Sequence, residues 1–169
     1  LDIVMIRFMK GNAEVGYYTA AIKVKTLLVS LITSLGTVLL PRLSYYIEKG
    51  EQEAFHRMVV KAFNFVLLVG LSVTMYFIFM AKESILLLAG EQFAASILPM
   101  QILMPAVLFI GLSNITGIQI LTPQGEEKKV VYSIVFGAVL DFILNLVLIG
   151  KHGASGAAFA TLMAELVVL

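Results

Sequence analysis

The chain of 169 residues is too apolar for a water-soluble domain, since 60% of it is hydrophobic and only 14% is charged, against roughly 25% charged residues in ordinary soluble proteins. A formal net charge of +1 creates no long-range field that would attract nucleic acid, so nucleic acid is not expected as a partner. Cysteine is absent, which excludes disulfides and thiolate metal sites.

Apolar stretches divide the chain into about six membrane spans, because a spanning helix needs about 20 mostly apolar residues. Two terminal stretches, 1–9 and 153–169, are interpreted as truncated, which favours one transmembrane helical domain over 1–169 that is a fragment of a larger transporter. The longer spans are predicted over 17–46, 62–81, 98–122 and 130–150. A short interfacial piece is expected before the span at 98–122, which Pro99 and Pro105 should kink. The fold class is therefore an all-α polytopic transmembrane helix bundle.

The connector "IEKGEQEAFHR" has helical periodicity, with Phe55, Met58 and Val59 on one face. It predicts either a short helix lying at the membrane interface or an extension of the next span, and the sequence leaves both open. Lysine and arginine are slightly more numerous on the side of this connector and of "TPQGEEKK", which holds Arg42, Lys49, Arg57, Lys61, Lys128 and Lys129, than on the opposite side, which holds Arg7, Lys10, Lys82 and Lys151. The positive-inside rule therefore leans toward placing both connectors in the cytoplasm.

The second span carries a stripe of polar residues along one helical face. These residues are Thr19, Lys23, Thr26, Ser30, Thr33 and Thr37, and their alternating spacing of four and three brings them to one side. Leu28, Ile32, Leu35 and Leu39 occupy the other side, which is expected to face lipid. The stripe is expected to face a protein interior or an aqueous cavity. The alternative is that its hydroxyl groups bond to carbonyl groups of their own helix.

Ionisable residues in the same span allow two interpretations each. Lys23 either binds substrate in a cavity or extends to the membrane surface as an anchor, and Lys25 is interpreted as an anchor. Pro41 predicts a bend, either mobile or static. Arg42 either contacts lipid phosphate or takes a part in substrate binding or gating.

Asp141 lies near the middle of its span, with Gly137 and Asn145 four residues away on the same face. A carboxylate at this depth is a functional candidate, either paired with a cation or carrying a proton. The alternative is a packing face on which Asp141 and Asn145 form hydrogen bonds to neighbouring helices. Small residues at four-residue spacing after Gly153 also predict close helix packing.

No catalytic constellation emerges from the sequence. The two histidines are far apart, no glycine-rich phosphate loop is present, and no nucleophile lies beside a base. The chain is therefore not expected to be an enzyme, and neither a cofactor nor a metal site is expected.

The chain resembles the polysaccharide or O-antigen flippases, called Wzx-like proteins, of the superfamily that also holds MurJ and the MATE exporters. The resemblance rests on the order of four motifs: "LDIVMI", "GNAEVGYYTAAIKV", "VLLPRLS" and "NLVLIGKHGASGAAFATLMAEL". It covers nearly the whole chain. Matching positions are Asp2, Gly16, Tyr18, Ala21, Lys23, Pro41, Arg42, Asn145, Gly156 and Glu165. Gly150 replaces a proline that is usual in the family, and Asp141 replaces a common asparagine.

The resemblance implies the second lobe of a flippase in the prokaryotic cytoplasmic membrane, which moves a lipid-linked oligosaccharide by alternating access. It further implies membrane lipids as partners and coupling to H⁺ or Na⁺. A multidrug exporter of the MATE type, a membrane-embedded glycosyl or acyl transferase and a purely structural module are the alternatives. The candidate translocation residues are Lys23, Thr26, Ser30, Thr33, Asp2, Arg42, Asp141 and Asn145.

Overall fold

The computed structural model describes residues 1–169, and all of its regular elements are helical. In chain order these are α1 (Asp2–Lys10), α2 (Asn12–Glu48), α3 (Gln52–Phe65), a π-helical turn (Val66–Gly70), α4 (Leu71–Phe79), α5 (Ala81–Ala89), a 3₁₀ helix (Glu91–Ser96), α6 (Ile97–Ser113), a second π-helical segment (Asn114–Leu121) and α7 (Glu127–Val168). The predicted all-α class is confirmed.

Four helical stretches are long and apolar enough to cross a membrane: Asn12–Glu48, Gln52–Phe79, Glu91–Leu121 and Glu127–Val168. The second stretch runs from α3 through the π-helical turn into α4. The amphipathic connector is therefore an extension of the span rather than a separate interfacial helix. The 3₁₀ helix lies where a short piece before α6 was expected.

The last stretch is a helical hairpin, which folds back at Gly153. This glycine has a φ of +55°, outside the helical region. A Cβ on Gly137 would overlap the side chain of Val168, and a Cβ on Gly156 would overlap the carbonyl oxygen of Leu148. In one straight helix, residues 137 and 168 would lie about 46 Å apart. The reversal therefore confirms the two predicted segments, 130–150 and 153–169, on either side of this turn.

The turn at Gly11, between α1 and α2, lies on the same side of the bundle as the turn at Gly153. Glu14 joins the two, because its Oε2 accepts a hydrogen bond of 2.7 Å from the backbone N–H of Ala154. A carboxylate at a helix N-terminus satisfies a free N–H group and meets the positive end of the helix dipole. This contact fixes the α7 hairpin at a defined height against α2.

We expect Glu14→Ala to lower the free energy of unfolding by about 1 kcal/mol, the usual cost of losing such a capping contact. Glu51→Ala is the matched control, because Glu51 stands at the start of α3 without making a capping hydrogen bond. Thermal unfolding of the full-length protein in detergent would compare the two. Equal unfolding temperatures would contradict the capping role.

The apolar face of α2 packs into the bundle. Ile32, Leu39 and Leu43 are buried against α3 and α6, and Gly111 on α6 has no room for a Cβ beside Ile32. The expectation that this face meets acyl chains is wrong. Burial among the neighbouring helices stabilises the leucine face, and the hydroxyl stripe consequently points out of the bundle.

Candidate functional site

Five polar side chains from α1, α2 and both arms of α7 meet inside the bundle, and we call them the carboxylate cluster: Asp2, Tyr18, Asp141, Asn145 and Thr161. The Tyr18 hydroxyl donates to Asp2 Oδ2 at 2.6 Å, and the Thr161 hydroxyl lies 3.2 Å from the same oxygen. Asn145 Nδ2 donates both to Asp2 Oδ1 at 3.2 Å and to Asp141 Oδ2 at 3.0 Å. One amide therefore holds two carboxyl groups close together.

The distance of each cluster residue from the turns at Gly11 and Gly153 gives its depth in the bundle. Asn145 and Thr161 each lie eight residues from Gly153, on opposite arms of the hairpin, and Tyr18 lies seven residues from Gly11. At 1.5 Å per residue, these three residues are about 10–12 Å below the two turns, and Asp141, twelve residues from Gly153, is about 18 Å below. Asp2 and Asn145 are 143 residues apart in sequence, and the packing of α1 against α7 brings them together.

Two oxygens of the cluster are buried without a hydrogen-bond partner: Oδ1 of Asp141 and Oδ1 of Asn145. Asn145 is completely buried, with 0% of its surface exposed. A buried acceptor with no donor costs about 1–3 kcal/mol. The cluster thus has more oxygen acceptors than hydrogen-bond donors. Hard cations prefer oxygen ligands, so the cluster suits a hard cation.

A cavity of about 390 Å³ borders the cluster and is called the acidic cavity. Its ionisable lining residues are Asp2, Lys25, Asp141 and Glu165. The interpretation of Lys25 as an interfacial anchor is therefore wrong. Its side chain is half-buried on the inner side of α2, and it faces carboxylates from other helices.

Lys23 points the other way, into a separate groove of about 630 Å³ between the start of α2 and α5, which we call the Lys23 groove. Thr19 and Asn12 line it from α2, and Leu88 and Phe93 line it from the facing segment. Lys23 is exposed and is the only ionisable residue in this lining. The groove thus places one positively charged side chain next to apolar side chains.

The hydroxyl stripe makes hydrogen bonds within its own helix. Ser30 donates to the carbonyl of Thr26 at 2.9 Å, and Thr33 donates to the carbonyl of Val29 at 2.9 Å. Thr26 and Ser30 are exposed and Thr33 is half-buried. The alternative in which the hydroxyls bond to their own backbone is confirmed for Ser30, Thr33 and Thr37. The stripe does not face the interior of this bundle, as the leucine face occupies that position.

Arg42 does not join the other candidates. It is exposed at the far end of α2, about 28 Å along the helix from Lys23. Pro41 does not end α2, which continues to Glu48. Among the candidates, the structure thus brings Asp2, Asp141 and Asn145 together. Lys23 lies in the separate groove, and Arg42 is distant from both sites.

Tyr18, Thr161, Lys25 and Glu165 were missing from the candidate set. Tyr18 and Glu165 are among the positions that match the flippase family in sequence, and this match could have identified them as candidates. Thr161 and Glu165 are four residues apart in an otherwise apolar segment, so both fall on one helical face. Only the partner helices reveal that this face borders the acidic cavity.

Comparison with known proteins gives a match over residues 1–169 to the family described as "Lipid II flippase MurJ". An uncharacterized membrane protein of Methanocaldococcus jannaschii is 28% identical over 95% of the chain. Putative O-antigen transporters of Shigella dysenteriae and Escherichia coli K12 are 24% and 21% identical over 99% and 98% of it. The chain spans 32%, 41% and 40% of the length of these three relatives. No solved structure matches the chain.

Proposed function

We propose, on the premise that the chain belongs to the Lipid II flippase MurJ family, that it forms the second lobe of a flippase for lipid-linked oligosaccharide. The chain is a multi-pass membrane protein of the cytoplasmic membrane. In the proposed function, the full-length protein moves its substrate between the leaflets by alternating access. It acts as a transporter and not as an enzyme.

The Lys23 groove is the observation that carries this proposal. A lipid-linked sugar presents a phosphate-containing headgroup next to a long hydrocarbon chain, and the groove offers one exposed ammonium next to apolar side chains. An ammonium forms strong, charge-assisted hydrogen bonds with phosphate oxygens. A multidrug exporter of the MATE type would be expected to place carboxylates in such a groove, and this lining contains none.

The outward direction of the hydroxyl stripe supports a position beside the substrate path. Thr26 and Ser30 continue the line of Lys23 along the exposed side of α2. In a transporter with two lobes, this side of α2 would face the first lobe across the cavity. The Ser30 hydroxyl already donates to the carbonyl of Thr26, and both hydroxyl oxygens keep lone pairs that can accept hydrogen bonds from sugar hydroxyls.

The carboxylate cluster is proposed as the site of the coupling ion, and Na⁺ is proposed over H⁺. A single proton bridges two oxygens, whereas the cluster offers more acceptors than that: the carboxylates of Asp2 and Asp141, the unpartnered oxygen of Asn145 and the Thr161 hydroxyl. Sodium binding by these residues would join α1 to both arms of α7. An ion that ties these helices together can bias the lobe toward one conformation.

Lys23→Ala is expected to reduce export of the lipid-linked oligosaccharide by roughly tenfold or more, because a charge-assisted hydrogen bond contributes about 1.5–3 kcal/mol. Cells that lack the native protein would be complemented with the full-length variant, and glycan at the outer face would be quantified together with protein abundance in the membrane. Lys82→Ala is the control, since Lys82 is an exposed lysine on α5 outside the groove.

Normal export by Lys23→Ala would remove Lys23 from the substrate path and leave it as a membrane anchor. The flippase proposal itself fails if cells without the protein, and without a relative that substitutes for it, do not accumulate glycan on the cytoplasmic side.

A further inference from the structure

Two lysines lie two positions apart on α2 and meet different surroundings. Successive residues of an α-helix are rotated by about 100°, so Lys23 and Lys25 project to nearly opposite sides. Lys23 lines the Lys23 groove, and Lys25 lines the acidic cavity. The chain therefore places a cation of its own in the cavity that borders the proposed coupling site.

Lys25 lies deep in the membrane. It is 14 residues beyond Gly11, and Glu165 is 12 residues beyond Gly153, which puts both about 18–21 Å below the two turns. A lysine near the bilayer centre costs about 2.5–3.5 kcal/mol on insertion scales. Such a residue is expected to interact with negative charge, and the cavity lining supplies it.

The ammonium of Lys25 has carboxylates nearby but no fixed partner among them. Asp2, Asp141 and Glu165 line the same cavity, yet the ion pairs in the structure are Arg57 with Glu53 and Lys129 with Glu126. A lysine carries its charge on a flexible four-carbon stem. Within about 390 Å³, the ammonium can approach either the cluster or Glu165.

The cluster meanwhile keeps unpartnered oxygens on Asp141 and Asn145, so acceptors are available to whichever cation arrives. Mobile Na⁺ and the tethered ammonium are both attracted to the same carboxylates, and they repel each other. When Na⁺ occupies the cluster, the ammonium would be driven toward Glu165. When Na⁺ leaves, the ammonium can move toward Asp141 and take over part of the charge neutralisation.

We infer that Lys25 is a tethered cation that competes with the coupling ion, an inference that rests on the coupling site proposed above. Its effect is to weaken Na⁺ binding enough for the ion to be released in each cycle. Lys25 is thus a positioning residue of the coupling site, distinct in place and role from Lys23.

The test is a titration of the purified full-length protein in detergent with NaCl, at constant ionic strength set with choline chloride, followed by thermal unfolding. Lys25→Met is expected to raise the apparent Na⁺ affinity roughly tenfold, since one unit charge about 10 Å away acts through an effective dielectric constant of about 20. Lys25→Arg keeps the charge and should restore the wild-type midpoint. Lys82→Met is the control, because Lys82 is an exposed lysine on α5 that lines neither cavity, and it should leave the midpoint unchanged.

The outcomes separate the two proposals. A wild-type protein that Na⁺ does not stabilise would overturn the coupling site, and the competition falls with it. A wild-type protein that Na⁺ stabilises, with an unchanged midpoint in Lys25→Met, would overturn the role of Lys25 alone. An equal increase in Na⁺ affinity in Lys25→Arg and Lys25→Met would also overturn the role of Lys25, because the charge of the side chain would not be the cause. If Lys25→Met does not fold, Lys25→Gln takes its place under the same criteria.

Discussion

Asp2→Asn is expected to weaken Na⁺ binding by roughly 100-fold and to abolish Na⁺-driven export. Loss of an outer-shell partner of a metal ligand costs 10–100-fold in affinity, and Asp2 is proposed as a direct and charged ligand. Its carboxylate receives hydrogen bonds from Tyr18 and Asn145, so the substitution removes charge while nearly preserving shape. Radioactive sodium binding to the purified full-length protein measures the first effect, and transport in proteoliposomes measures the second.

The control for this substitution is Glu53→Gln, which removes one carboxylate charge from the connector. Glu53 pairs with Arg57 at 3.8 Å, and both side chains are well exposed, so the pair contributes little. Its Na⁺ affinity and export should equal those of the wild type. Wild-type sodium binding by Asp2→Asn would exclude Asp2 as a ligand and reduce the cluster to a packing feature.

Gly156→Ala is expected to lower the free energy of unfolding by about 2–3 kcal/mol, a typical cost of overpacking. A Cβ at this position would lie 2.6 Å from the carbonyl carbon of Leu148 and 3.1 Å from the backbone nitrogen of Ile149. Backbone atoms of the facing arm of α7 cannot move aside as the end of a side chain can. The hairpin would have to open, and the cluster that bridges its arms would be distorted with it.

Gly150→Ala is the matched control, because it makes the same chemical change in the same hairpin. A Cβ at Gly150 would meet only the end of the Met9 side chain at 3.6 Å, an ordinary contact. Alanine is favoured over glycine inside a helix by roughly 0.5–1 kcal/mol, so this variant should be neutral or slightly stabilised. Thermal unfolding in detergent compares them, and equal stability of the two variants would contradict the hairpin.

The membrane spans could be predicted from the sequence because length and apolarity are local properties. The segments 130–150 and 153–169 were separated correctly by the polar stretch around Gly153. Their close packing also followed from small residues at four-residue spacing, as Gly156 and Ala160 are buried.

What each helical face contacts could not be predicted, because periodicity defines a face without naming its neighbour. The stripe on α2 was expected to face a protein interior or an aqueous cavity, and the structure excludes the interior of this bundle. Ser30 and Thr33 satisfy their hydroxyls within the helix, and the leucine face packs instead. The different surroundings of Lys23 and Lys25 were equally difficult to predict. The positions of Asp2, Asp141 and Glu165 on α1 and α7 show that Lys25 is the lysine that faces carboxylates.

The most direct test of the account is translocation of a fluorescent lipid-linked oligosaccharide by the full-length protein in proteoliposomes, with a Na⁺ gradient compared with a matched K⁺ gradient. We predict that the Na⁺ gradient accelerates the appearance of the glycan at the opposite leaflet, and that Asp2→Asn removes this acceleration. Equal rates with Na⁺ and K⁺, or no translocation by folded protein in either, would contradict the account.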